Sequence, residues 1–473
     1  MIRINRRLIF PQAVLCLILA LTFTGCGVKQ AQGTNAKKKI LTSELNNSSN
    51  DVKNGDTLDD YQKMMDKILD SGTSVFFGCH PIDENFLSFI ASWYGINVLR
   101  DIVSNNNYSD PEIWFTRTGK SIHVLWDEYT GSSNLYKVDT NRTKEIQPAS
   151  TDETVLDFTG DFGMAEGMAT TVYLDQIGDD LRGCFSKELL KETEGADLFE
   201  INNEFCYSNG GSPLQGKDYT FRANPDKAKL LSEIGVDFVN LANNHVYDYG
   251  PQALLDTLDT LDADKISYLG AGRNLDEASK PLYYIANGRK IAIVSATQIE
   301  RSLDYTKEAT DDSPGVLKTL DPEKYIKVIK EASKKADVVI AIVHWGTEQS
   351  STYGNDQVKL AEAFSEAGAD AIIGCHSHCL QGIENMNGTP VFFSLGNYWF
   401  ATSGSMPSDY ASGIAQIRIQ KDGKVKARFL PCVFKNGITS LITDAGEKSD
   451  KISYVQGLSK SVNISEDGEI SPK

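Results

Sequence analysis

Val236-Asp237-Phe238-Val239-Asn240-Leu241 runs directly into Ala242-Asn243-Asn244-His245, a short apolar strand that ends in a polar, histidine-bearing loop. The same event recurs twice further on. Val338 to Val343 leads into His344-Trp345-Gly346, and Ala371 to Gly374 leads into Cys375-His376-Ser377-His378. Two earlier strands end in oxygen donors instead: Val155 to Thr159 in Gly160-Asp161, and Leu198 to Ile201 in Asn202-Asn203-Glu204. Capped helices lie between them. Asn224-Pro225 opens one that Gly235 closes, Asp321-Pro322 opens a second, and a third runs from about Asp356 to Ala367 with Gly368 as its stop. From Thr154 onward the texture is that of an α/β domain whose mostly parallel or mixed sheet is covered on its faces.

In such sheets ligands sit beyond the carboxyl ends of the strands. Four of the chain's six histidines are therefore expected at one sheet edge, together with Asp161 and Glu204. A mixed set of carboxylates, amides and imidazoles suits borderline divalent ions such as manganese, zinc or iron. Calcium or magnesium would take oxygen ligands and few imidazoles. One or two such ions are expected. Cys375 and Cys379 flank the His376/His378 pair, but packing or a disulfide is the preferred reading for them over zinc ligation.

At 473 residues the chain exceeds one ordinary core and calls for two folded parts plus non-globular segments. Its formal charge of -17, with no dense Lys/Arg surface, argues against nucleic-acid binding. Arg3, Arg6 and Arg7 precede an apolar run from Leu8 to Phe23, and Thr24-Gly25-Cys26 follows. The run is short of the roughly 20 residues that span a bilayer, and the pattern resembles a bacterial lipoprotein signal over residues 1–26. Cleavage and lipidation at Cys26 would leave the protein attached to the membrane, outside the cytoplasm. Phe23 departs from the usual aliphatic residue, which keeps an uncleaved signal-anchor as the alternative. Loss of the three arginines takes the formal charge from -17 to -20.

Residues 27–56, rich in Asn, Ser, Lys and Thr, read as a flexible tether. A small α+β module is expected over residues 57–150. Leu58, Tyr61, Met65, Ile68 and Leu69 recur near helical spacing there, a strand covers Val75 to Phe77, a helix covers Glu84 to Tyr94, and paired strands flank Gly119. Thr118-Gly119-Lys120-Ser121 is not a phosphate loop, because Trp114 stands where its first glycine is needed. His80 and His123 read as structural or surface histidines, and the module receives no function. The main domain is expected over 151–435, with 436–473 as a C-terminal tail. Beyond Cys16 and Cys26, six cysteines remain, Cys79, Cys184, Cys206, Cys375, Cys379 and Cys432, and their pairing stays open between disulfides and free buried thiols.

The motifs carry a family resemblance. Gly160-Asp161, Asn202-Asn203-Glu204, Leu241-Ala242-Asn243-Asn244-His245, His344-Trp345-Gly346 with Glu348, Gly374-Cys375-His376-Ser377-His378 with Gln381, and Ser394-Leu395-Gly396-Asn397 follow one another in this order. From about Thr154 to Cys432 the chain resembles the CapA-type poly-gamma-glutamate capsule synthesis family, whose domain is similar to calcineurin-like metallophosphoesterases. The resemblance implies an αββα sandwich with mixed sheets. It also implies Asp161, Glu204, Asn244, His344, His376 and His378 as metal ligands, with Glu204 where the wider superfamily has a bridging aspartate. His245 would be the general acid, oriented by Asp248. Arg222 would grip an anionic group of the substrate, or pair with an acid of the fold. One departure stands out: the superfamily's second histidine, two residues after the first aspartate, is here Gly163, which leaves one metal position short of a ligand.

Three functions follow from this reading. The first is a membrane-anchored component of the synthesis and export of poly-gamma-glutamate or another anionic envelope polymer, with that polymer or its machinery as partner. The second is a metal-dependent phosphoesterase or envelope hydrolase. The third is a non-catalytic scaffold. A strongly negative chain binds a polyanion only if a basic patch or the metal supplies local attraction.

Overall fold

Short-range rules account for many elements of the main domain. The structure, a computed structural model, describes residues 112–117, 120–125, 142–299, 305–402 and 410–473. The signal with Cys26, the tether, Cys79, His80 and the strand and helix expected over 58–94 lie outside the described residues. The chain divides into two units, residues 1–140 and 141–473. In the first, β1 (Glu112–Arg117) and β2 (Lys120–Leu125) pair antiparallel, Arg117 opposite Lys120, which agrees with the strands expected around Gly119.

The second unit holds two mixed sheets. Its strands are β3 (Thr143–Glu145), β4 (Glu153–Phe162), β5 (Leu198–Asn203), β6 (Cys206–Tyr207), β7 (Arg222–Ala223), β8 (Phe238–Asn240), β9 (Ser267–Leu269), β10 (Ala271–Gly272), β11 (Leu282–Ala286), β12 (Arg289–Thr297), β13 (Gly315–Val316), β14 (Val338–His344), β15 (Ala371–Cys375), β16 (Ile383–Met386), β17 (Thr389–Phe392), β18 (Asn397–Trp399), β19 (Tyr410–Gln420), β20 (Val425–Lys435), β21 (Ile438–Leu441), β22 (Val462–Ile464) and β23 (Ile470–Pro472). One sheet runs β16-β17-β15-β14-β12-β11-β3; the other runs β21-β20-β19-β4-β5-β8-β9, with β18 also on β4. Residues 143–145, expected in the small module, thus belong to the main domain, because they pair in parallel with Tyr283–Ile285.

Along β14 the period of two is visible in the packing. Ile340 and Ile342 join Leu156, Phe158, Leu198 and Phe238 in the core between the sheets. Val339, Ala341 and Val343 face the other way, onto Tyr325, Ile329 and Phe364 of the outer helices. Burial of each large aliphatic or aromatic side chain is worth roughly 1.5–3 kcal/mol. The opposite outer layer packs Leu189, Leu231, Leu254 and Leu258 on Phe199, Ile201 and Val239. The result is the four-layer αββα sandwich that the resemblance implies.

The helices are α1 (Ala169–Gln176), α2 (Lys187–Gly195), α3 (Gly250–Ala263), α4 (Leu275–Ser279), α5 (Pro322–Lys335), α6 (Asn355–Glu366) and α7 (Ala445–Leu458). Asp321 caps α5 by accepting from Glu323 N, with Pro322 in its first turn and Lys334 and Lys335 in its last. The segment that Asn224 opens, Pro225–Ile234, is 3₁₀ rather than α, and it ends at left-handed Gly235 as expected. Residues 436–473 are not a tail. They supply β21, α7 and the β22/β23 hairpin, and their apolar residues Ile452, Val455 and Val462 complete the core between the sheets. Among the described residues no helix is long and apolar enough to cross a membrane.

Candidate metal centre

The expected donors do meet, but not at the edge of one sheet. Asp161 lies near the end of β4, and Glu204 and Asn244 follow β5 and β8 of the same eight-stranded sheet, whereas His344 ends β14 and His376 and His378 follow β15 of the seven-stranded sheet. Within each sheet these strands are parallel neighbours, so their carboxyl ends share one edge. The two edges then close on each other across the sandwich: the Cys375 thiol lies 3.9 Å from Thr159 O, and His376 N donates to Asp161 Oδ1 at 3.3 Å. Gly160 permits a third approach, since a Cβ there would fall 1.8 Å from Gly396 O.

Two overlapping groups of donors result, Glu204/His344/His376 and Asp161/Glu204/His378, each with its ligand atoms within 4.8 Å of one another. His344 Nε2 lies 2.8 Å from Asn244 Oδ1, 3.0 Å from His376 Nδ1 and 3.5 Å from Glu204 Oε1. His378 Nδ1 lies 3.0 Å from Asp161 Oδ2 and 2.8 Å from Asn397 Oδ1. His376 and His378 both have positive φ, 98° and 55°. Side chains other than glycine adopt that region at a cost, which the surrounding packing must offset.

Two of the imidazoles are held in the form that binds a cation. Burial holds His344 down to about 3 and His376 well below its ordinary value, so both imidazoles are neutral and keep a lone pair. Burial works to raise Asp161, but His378, His344 and His376 outweigh it and keep that carboxyl below the usual range. Glu204 is pushed well above it, by burial first and by the Asp161 charge second. Asp161 Oδ2 and Glu204 Oε1 are buried; the first has only the His378 ring nitrogen at 3.0 Å and the second makes no hydrogen bond. Unsatisfied buried carboxylate oxygens are costly, and a divalent ion among these oxygen and imidazole donors would satisfy both. The residues present therefore fit the expected ion.

His245 and Asp248 form the expected pair. His245 Nδ1 lies 2.7 Å from Asp248 Oδ2; a carboxylate only accepts, so Nδ1 carries the proton and Nε2 faces Glu204 Oε1 at 3.9 Å. Asp248 also accepts from Lys217 Nζ and from Phe221 N, each at 2.7 Å. The Phe221 ring lies 4.3 Å from His245, and Phe400 stacks on His378 at 4.8 Å, giving the site two apolar walls.

Arg222 is not brought to this cluster. Its guanidinium lies over the Tyr249 ring at 4.3 Å and donates to Gly210 O at 3.0 Å. The five described cysteines, Cys184, Cys206, Cys375, Cys379 and Cys432, are free thiols. Cys375 packs under the site, its thiol pushed well up by burial, in line with the packing reading.

Other site residues escaped the sequence reading. Asn202 donates to Asp161 Oδ1 at 2.8 Å, accepts from Asn240 at 2.9 Å, and Ser295 reaches Asn240 from the other sheet at 2.6 Å. Asn202 and Asn397 stood inside quoted motifs without a role. Lys217 had no local signal, because the loop holding it acquires meaning only when it folds over Asp248.

A family model described as bacterial capsule synthesis protein PGA_cap matches residues 155–402, a span that encloses the whole cluster. The PGA biosynthesis protein CapA of Bacillus subtilis (strain 168) is 32% identical over 336 residues, 65% of this chain and 85% of its own length. The capsule biosynthesis protein CapA of Bacillus anthracis is 31% identical over 296 residues, 58% of this chain and 71% of its own. A Mycobacterium tuberculosis protein named as a probable polyglutamine synthesis accessory protein is 27% identical over 213 residues, 44% of this chain and 56% of its own.

Proposed function

The chain belongs to the bacterial capsule synthesis protein family PGA_cap, and from that membership we propose that it is an accessory component of anionic envelope-polymer synthesis and export. In this reading a lipid on Cys26 tethers it outside the cytoplasm. Its two-sheet domain would hold one or two divalent ions and would bind or process the emerging chain there, with poly-gamma-glutamate as the leading polymer. The observation that carries the metal is the convergence of two buried carboxylate oxygens on imidazole nitrogens, Asp161 Oδ2 at 3.0 Å from His378 and Glu204 Oε1 at 3.5 Å from His344. A formal charge of -17 repels a polyanion at long range, so attraction has to be local, and this centre is where it would arise.

When bound, the ions would supply Lewis acidity toward a carbonyl or phosphoryl oxygen of the substrate. The protein's own part is positional. Asp248 holds the His245 ring by Nδ1, which leaves Nε2 as the atom that moves a proton. Burial, helped by Lys217, outweighs the Asp248 charge and lowers the His245 imidazole from its ordinary value. Phe221 and Phe400 keep water from the two histidines they cover.

The same His245/Asp248 pair favours a second reading, a metal-dependent phosphoesterase or envelope hydrolase. Both readings are tested on the purified full-length chain, by metal analysis and by turnover of a generic phosphodiester and of poly-gamma-glutamate in wild type and His245→Ala. Metal with no phosphodiester turnover supports the capsule component. Phosphodiester turnover that depends on His245 supports the hydrolase. Failure to bind any divalent ion after loading would leave only the scaffold.

A further inference from the structure

Gly163 stands where the resemblance places a second histidine ligand, and the packing around it is closed. A Cβ on Gly163 would lie 2.4 Å from Met168 Cε and 2.7 Å from Phe400 Cδ2. Met168 could swing aside. Phe400 is held by stacking on His378 and by its edge contact with Phe221, centroids 5.6 Å apart. No side chain therefore enters the site from this side of β4.

The neighbouring strand offers a donor instead. β18 runs parallel to β4 with Asn397 opposite Asp161, and bonds on either side fix it there: Asp161 N to Gly396 O and Gly163 N to Trp399 O, both 2.9 Å. Residues in register on neighbouring strands present their side chains to the same face. Accordingly the Asn397 oxygen lies 2.8 Å from His378 Nδ1, the atom that is also 3.0 Å from Asp161 Oδ2. Asn397 is 4% exposed and Asp161 fully buried. An amide oxygen belongs to the donor class that Asn244 brings to the other half of the centre.

We propose that Asn397 is a metal ligand that replaces the histidine missing at Gly163, so that Asp161, His378 and Asn397, sharing Glu204, hold a second divalent ion beside the one held by Glu204, Asn244, His344 and His376. This rests on the metal-centre reading given above. Asn397 as a mere acceptor for the His378 Nδ1 proton is the competing role, and the two differ in Asn397→Asp, because a carboxylate binds a cation more tightly as a ligand but as an acceptor holds the proton on Nδ1.

The test strips the full-length chain with chelator, titrates it with Mn²⁺ by calorimetry, and counts metal per chain after gel filtration. The wild type should bind two equivalents. Asn397→Ala should bind one, with the second step weakened by about 10- to 100-fold or more. Asn397→Asp should keep two and tighten the second step, about tenfold. The thermal midpoints of the metal-free proteins check that the variants fold; if Asn397→Ala does not, the tightening in Asn397→Asp decides. Two unchanged steps in Asn397→Ala, one equivalent in the wild type, or an Asn397→Asp second step no tighter than wild type overturns the role of Asn397. A wild type that binds no ion overturns the metal centre itself, a separate and recognisable failure.

Discussion

Asn202 donates a hydrogen bond from Nδ2 to Asp161 Oδ1 at 2.8 Å, which leaves Oδ2 as the oxygen of Asp161 that faces the donor cluster. Asn202 is itself held through Asn240 to Ser295, so the orientation of a residue on one sheet is set partly from the other. Partners that orient a ligand in this way are worth about 10- to 100-fold in metal affinity. Asn202→Ala should therefore weaken Mn²⁺ binding by that order, and Ser295→Ala by less. Equal affinity in Asn202→Ala and wild type would show that Asp161 needs no orienting partner.

Lys217 and Asp248 are 5% and 0% exposed and 2.7 Å apart, and Lys217 also binds the Asn244 carbonyl. Removing one member of a buried pair strands the other charge, at a cost of about 3–5 kcal/mol. Urea denaturation of Lys217→Met should show a loss of that size. Pairing it with Asp248→Asn should recover part of the loss, because the stranded carboxylate is then gone. A double variant as unstable as the sum of the two singles would speak against the pair as the cause.

Asp157 is fully buried on β4, and burial pushes its carboxyl up to about 8, with Glu192 adding to the rise and Gln416 and Arg428 opposing it. Its folded value is thus above the ordinary carboxylate value near ~4 that an unfolded chain shows. The stability it contributes is complete below about 4 and is lost as pH climbs through about 8, at roughly 1.4 kcal/mol per unit in between. Asp157→Asn does not titrate. Its stability relative to wild type should therefore rise from pH 5 to 8 and level off above, and parallel curves across that range would refute the shift.

Glu384 anchors the C-terminal segment. It accepts from Tyr353 Oη at 2.6 Å and from the backbone N–H groups of Lys460 and Ser461 at 2.7 Å each, with the Ser461 hydroxyl as a fourth donor. Glu384→Ala would leave these donors unmatched, at about 1–3 kcal/mol for each that stays buried. Hydrogen exchange should then quicken across residues 459–473 and much less in β14. Uniform quickening would mean that the segment is not a separate unit of stability.

These contacts separate what is readable locally from what is not. The apolar runs of β14 and β15, the caps at Asn224 and Asp321 and the stop at Gly368 are short-range matters of periodicity and backbone chemistry, and they appear in the structure within a residue or two. The donor residues were legible for the same reason, each standing at or within a few residues of the carboxyl end of its own strand. The 3₁₀ winding of Pro225–Ile234 and the folding of residues 436–473 were not, because both depend on packing against distant elements.

Taken alone, the sequence determined which residues could bind a cation and that they follow strand ends, since both are properties of a few consecutive residues. Only tertiary structure decided that the donors come from two sheets, that Asn202 aims Asp161, that Lys217 reaches Asp248 and that Asn397 stands beside His378. Each of these is a contact between segments about twenty to more than two hundred residues apart, and its existence depends on how the sandwich closes around its core rather than on any local pattern.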